Sequence, residues 1–193
     1  MKCTLTTVGL VTVAVLSTAC VENQEGMNPG GTSPSSLEIK TDLHFNTHLN
    51  GADEVPVRDT RAQGQAIFRL DRDGTTMSYR LIAANIDNVH QAHIHMGPAT
   101  GMGPVVVWLF PNTTGPALVP PANLGPQNGV LATGSFTSAN FIGPLAGQPM
   151  SALINQLKDA NLYVNVHTTD GVAPPDTGPG DFPGGEIRGQ LDN

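Results

Sequence analysis

The sequence predicts an all-β domain, a Greek-key-like antiparallel sandwich or barrel with one short helix. Three observations carry this. Apolar and polar residues alternate with period two in segment after segment, as in strands that turn one face to a core. The chain holds 22 Gly and 16 Pro among 193 residues, which favours frequent turns over long helices. Only one stretch carries a helical stripe. Many short strands joined by turns pack as two sheets or as one sheet closed on itself.

The elements follow in order. Leu43, Phe45, Thr47 and Leu49 alternate with His44, Asn46 and His48. Asp42, His44, Asn46 and His48 then share a face, most simply a solvated one. Ala66 to Leu70 and Met77 to Ile82 read as a hairpin around Asp71-Arg72-Asp73-Gly74, where Gly74 is free to take positive φ. The Asp-x-Asp-Gly opening resembles a calcium loop, but no glutamate follows at the required spacing, so a turn is the simpler reading. His93-Ile94-His95 is a short strand. Pro104 to Phe110 is apolar almost throughout and reads as a core strand buried on both faces, with Trp108 and Phe110 in it. Val130 to Phe136, Leu162 to Thr168 and Gly185 to Leu191 complete the strands. The helix is Ser151 to Lys158, where Leu153, Ile154 and Leu157 form one stripe and Ser151 stands where a cap belongs.

The N-terminus predicts export. Lys2 precedes an apolar run, Leu10 to Leu16, too short to span a membrane comfortably. Ser17-Thr18-Ala19-Cys20 follows. It resembles a bacterial lipoprotein signal, which would make residues 1–19 a signal peptide and Cys20 the lipidated N-terminus. Ser17-Thr18-Ala19 also satisfies the small-x-small rule of ordinary cleavage, which would release a secreted protein. By resemblance to Gram-negative lipoproteins, Val21 rather than aspartate after the cysteine implies the outer membrane. Residues 20–37 are rich in Gly, Pro, Ser, Asn, Gln and Glu and read as a tether. The domain is residues 38–193, roughly 150 residues, enough to bury about two-thirds of the chain's surface in one core.

Composition excludes several functions. A net charge of −7 without basic runs argues against nucleic acid. Cys3 and Cys20 are the only cysteines, so the domain has no disulfide to staple it. Gly-x-Ser-x-Gly, phosphate-loop and dinucleotide fingerprints do not occur. An enzyme is the less favoured reading, and a binding module the leading one.

The strongest chemical signal is Ala92-His93-Ile94-His95-Met96-Gly97 read with Tyr163-Val164-Asn165-Val166-His167-Thr168. Residues two apart on a strand point the same way. His93 and His95 therefore project together, as do Tyr163, Asn165 and His167. Side by side, the two strands would converge three imidazoles, a donor set suited to copper or, less so, zinc. His90 is a further candidate ligand, and Met102 in the following loop a soft one for reduced copper. Met96 faces away. The competing reading is architectural, with histidines hydrogen-bonded to hold the loops at the strand ends. Asp170, Asp176 and Asp181 could orient a histidine or simply solvate a loop. Glu186 and Arg188 share a face and, if buried, need partners.

The order of motifs resembles the CHRD domain, the chordin repeat also found in bacterial exported proteins. Leu49-Asn50-Gly51-Ala52-Asp53-Glu54-Val55-Pro56 comes first, then Gly64-Gln65-Ala66, the two histidine motifs, Gly103-Pro104-Val105-Val106-Val107, and Pro183-Gly184-Gly185-Glu186-Ile187-Arg188-Gly189-Gln190-Leu191. The resemblance spans about residues 38–192 and implies an extracytoplasmic β-domain but little about activity; the binding-module reading expects an unknown envelope or extracellular protein partner. A looser likeness joins His93, His95 and His167 to the copper ligands of copper/zinc superoxide dismutase. The missing disulfide and the lack of a zinc-subsite histidine set reduce what that likeness implies to a simple copper site.

Overall fold

The computed structural model describes residues 43–111 and 125–192. The leader, Cys20 and the tether lie outside the described residues. Eight strands form one antiparallel sheet: β1 (His44–Asn50), β2 (Gln63–Leu70), β3 (Thr76–Asp87), β4 (Val89–Met96), β5 (Val105–Phe110), β6 (Pro126–Thr137), β7 (Leu162–Thr168) and β8 (Ile187–Leu191). Their order is β5-β4-β7-β8-β1-β2-β3-β6. The two end strands meet across the gap, so the sheet curls into a nearly closed barrel. The one α-helix is α1 (Met150–Lys158).

Alternation built this barrel. Phe45, Leu49, Phe68, Leu81, Ile94, Leu109, Val164, Val166, Ile187 and Leu191 all belong to one buried apolar cluster. The stripe of α1, with Met150, Leu153, Ile154 and Leu157, packs into the same cluster. The β2–β3 hairpin closes in register at Leu70 and Met77. Its turn is held by Asp71 N–H donating to Thr76 O at 2.8 Å, and Gly74 takes φ of 72°. On the outside of β1, His44, Asn46 and His48 are exposed.

Three expectations change. The apolar strand containing Trp108 is β5, an edge strand rather than a central one. Val107 and Leu109 enter the core while Trp108 and Phe110 are only half-buried. Its apolar run cannot separate two-faced burial in the sheet centre from an edge covered by other groups. The helix begins at Met150 with Pro149 at the cap position and no side-chain cap bond, so Ser151 does not cap it. The loop after β7 is pinned rather than merely solvated. Asp181 is 3% exposed and accepts from Thr177 N–H and Oγ1–H, and Asp176 pairs with Arg58 at 3.0 Å.

Candidate metal centre

The site lies on the outer face of β4, β7 and β8, opposite the barrel core. β4 pairs β7 with His93 opposite Asn165, and His95 opposite Tyr163. β7 pairs β8 with Asn165 opposite Arg188. Strand alternation therefore sends Ile94, Val164, Val166 and Ile187 inward and His93, His95, Tyr163, Asn165, His167 and Arg188 outward. Loops roof this outer face. His93 is 3% exposed, and His95 and His167 are 8% exposed.

The roof is fastened to the site itself. Arg188, 1% exposed, donates to Gly101 O at 2.9 Å and Pro98 O at 2.7 Å. Its guanidinium sits 3.4 Å from the centre of the Tyr163 ring, and His95 stacks on that ring at 4.9 Å and 9°. Gly103 N–H donates to the Tyr163 hydroxyl at 3.0 Å. A Cβ on Gly103 would run into the Met96 carbonyl, so glycine is required for this loop to close over the strand. On the other side Glu186, fully buried, accepts from Thr60 Oγ1, Thr168 Oγ1 and Gly180 N–H, tying down the loop after β7.

Each histidine has a defined role in this frame. The Nδ1 of His95 lies 2.8 Å from Gly103 O, and that of His167 2.9 Å from Pro183 O. Carbonyls only accept, so both Nδ1 atoms carry the proton and both Nε2 atoms present lone pairs. Metal-ligating histidines are commonly oriented in this way, through a backbone carbonyl on the far nitrogen. His93 Nδ1 stands 3.1 Å from His167 Nε2. Ligand atoms of His93, His95 and His167 all lie within 4.8 Å of one another. An ion about 2.0–2.1 Å from each imidazole nitrogen sets neighbouring ligand nitrogens about 3–3.5 Å apart, so the rings would have to close in from their present spacing to hold one.

Burial holds these rings neutral. It pushes His93 down to about 2 and His167 to about 4, with the neighbouring imidazoles adding to the effect. His95 and His90 are lowered by burial as well, His95 also by the Arg188 charge. Among the described residues, buried polar atoms without a hydrogen bond include His93 Nε2, His95 Nε2 and both nitrogens of His90. Unpaired buried groups of this kind cost about 1–3 kcal/mol each, and a cation held by the three rings could satisfy those of His93 and His95.

Of the sequence candidates, the structure brings together His93, His95 and His167. His90 is close by because β4 bulges between Val89 and Gln91, against adjacent Thr168 and His167 on β7. Its ring centre lies 6.2 Å from that of His167, outside the trio. Met102 is 76% exposed. Two residues escaped the sequence reading. Trp108 meets His93 edge-on with ring centres 4.1 Å apart. Glu54 is 4% exposed beneath the same roof. Trp108 was masked by the apolar run around it, and Glu54 lies in a non-periodic turn with no local mark of burial.

No curated protein matches the chain. The family model of the CHRD domain matches residues 45–175, more than half of the sequence, taking in every histidine of the centre and ending before β8. The ordered motifs, the antiparallel barrel and this match agree: the chain belongs to the CHRD domain family.

Proposed function

We propose that the protein is a metal-binding CHRD module of the cell envelope that holds one copper ion through His93, His95 and His167. The observation that carries this is the buried, neutral cluster in which Nδ1–H groups held by Gly103 O and Pro183 O orient His95 and His167, while the Nε2 atoms of His93 and His95 are left without a partner. Three imidazoles without thiolate suit copper, which also stands at the top of the divalent affinity order. Zinc is the weaker candidate. Binding to an envelope or extracellular protein is the biological role, and a redox cycle of the bound copper is its variant.

Trp108 is the single tryptophan of the chain and touches His93, so Cu(II) entering the trio quenches its emission. Titration of the purified untagged protein should show quenching that saturates at one equivalent, with matching metal content. His93→Ala and His167→Ala should abolish both while keeping the β-sheet circular dichroism. A wild-type protein that binds neither copper nor zinc, with these variants merely less stable, would make the histidines architectural.

Export and lipidation at Cys20 belong to the same proposal, supported by the leader pattern at residues 1–20. Metabolic labelling with a fatty acid should mark the wild type and not Cys20→Ser. Unlabelled wild-type protein in the culture medium would favour the secreted form instead.

A further inference from the structure

Glu54 lies under the roof of the histidine centre, yet no ion pair neutralises it. Its Oε1 is buried and makes no hydrogen bond. Two cations face it, Arg188 from β8 and Arg58 from the segment before β2. Both are committed elsewhere. Arg188 donates to Pro98 O and Gly101 O and lies over Tyr163. Arg58 pairs with Asp176, donates to Gly185 O and lies over Phe182. The other titratable neighbour is the Tyr163 hydroxyl, itself held by Gly103 N–H. A buried carboxylate without a close pair is expensive, and the inexpensive solution is a proton. Burial raises Glu54 to about 7, against the partial pull of Arg188.

Asn165 connects this carboxyl to the histidines. A Cβ on Gly185 would meet both Glu54 Oε1 and Asn165 Nδ2, so the two groups press against one glycine whose φ is 125°. Asn165 is 3% exposed, its Oδ1 has no hydrogen bond, and it biases His95 as well as Glu54 toward the charged form. Glu54 also lines an open cleft of about 570 Å³ with Thr47, His48, Asp53 and Asp192, which gives its proton a way to solvent.

We propose that Glu54 is the proton-exchanging carboxyl of the histidine centre. This rests on the metal reading above. With a divalent cation held by the trio, Glu54 would give its O–H proton to the buffer, and the resulting carboxylate would offset one of the two positive charges. The neutral imidazoles have no proton to release at pH 7 beyond any shared between His93 and His167. Glu54 is therefore the group that makes loading depend on pH.

The test is calorimetric titration of the full-length protein with Zn(II), which avoids redox chemistry, in buffers of different ionisation enthalpy. Wild type at pH 7 should release about half a proton more than Glu54→Gln, and its affinity should gain about tenfold from pH 6 to 8 over the variant's gain. Equal proton counts in two proteins that both bind would overturn the role of Glu54 and leave the metal site standing. Absence of binding in wild type would overturn both. Should Glu54→Gln fail to fold, infrared difference spectra of the wild type decide. Loss of a protonated-carboxyl C=O band on loading supports the proposal, and an unchanged spectrum refutes it.

Discussion

The two sides of this barrel share one sheet and one core but differ on their outer faces. On β1, His44, Asn46 and His48 alternate outward into solvent. On β4 and β7, His93, His95 and His167 alternate outward in the same way and are buried. All seven residues of β7 are buried, whereas on β6 only Phe136 is. The strand pattern is the same in both places, so the pattern does not make the site. The roof does. Loop carbonyls at Pro98, Gly101, Gly103 and Pro183 take up the N–H groups of Arg188, His95 and His167. That fixes tautomers and buries the rings, turning ordinary strand histidines into neutral groups that could hold a metal.

The largest effect should come from breaking the roof at Arg188. Arg188→Ala removes two donors from loop carbonyls and the cation from the Tyr163 ring, and takes away the larger of the two positive fields on Glu54. Hydrogen bonds from a charged donor are worth about 1.5–3 kcal/mol each, so a loss of about 3 kcal/mol or more should appear in urea denaturation. Val130→Thr on the exposed side, at a residue 50% exposed, should shift stability by no more than about 0.5 kcal/mol. Equal costs at the two positions would mean that the roof does not stabilise the fold, and the comparison would collapse.

This contrast also marks what the sequence could disclose. Period-two alternation located the strands, and the two histidine motifs named the trio, because both are local patterns. Nothing local says which outer face a loop will cover. His44 and His48 differ from His93 and His95 only in what lies above them. Glu54 and Arg188 are 134 residues apart in sequence terms and meet through the order β7-β8-β1 of the sheet. The bulge that carries His90 toward His167 is likewise a property of pairing, set by the register with β7 and invisible along β4 alone. Trp108 was placed on a strand correctly, but its edge position follows from sheet order, which alternation does not encode.

The roofed face should also dominate the pH dependence of the metal-free fold. His93 and His167 have folded values below the ordinary 6.5. The unfolded chain therefore binds more protons below that pH, and their contribution is intact above about 6.5 and lost as pH falls toward 4. Glu54 runs the other way. Its folded value of about 7 lies above the ordinary 4.5, so its contribution is full below about 4.5 and fades as pH rises through 7. His90 and His95 are lowered too, so between about 4.5 and 6.5 the imidazoles outweigh the one carboxyl and stability falls on acidification. Urea midpoints at pH 6.5, 5.5 and 4.5 would measure it. Glu54→Gln removes the opposing group and should steepen the slope. His48→Ala, on the uncovered face, should leave the curve within about 0.5 kcal/mol of wild type. A slope that His48→Ala changes and Glu54→Gln does not would place the titrating groups on the solvated side and overturn the contrast between the two faces.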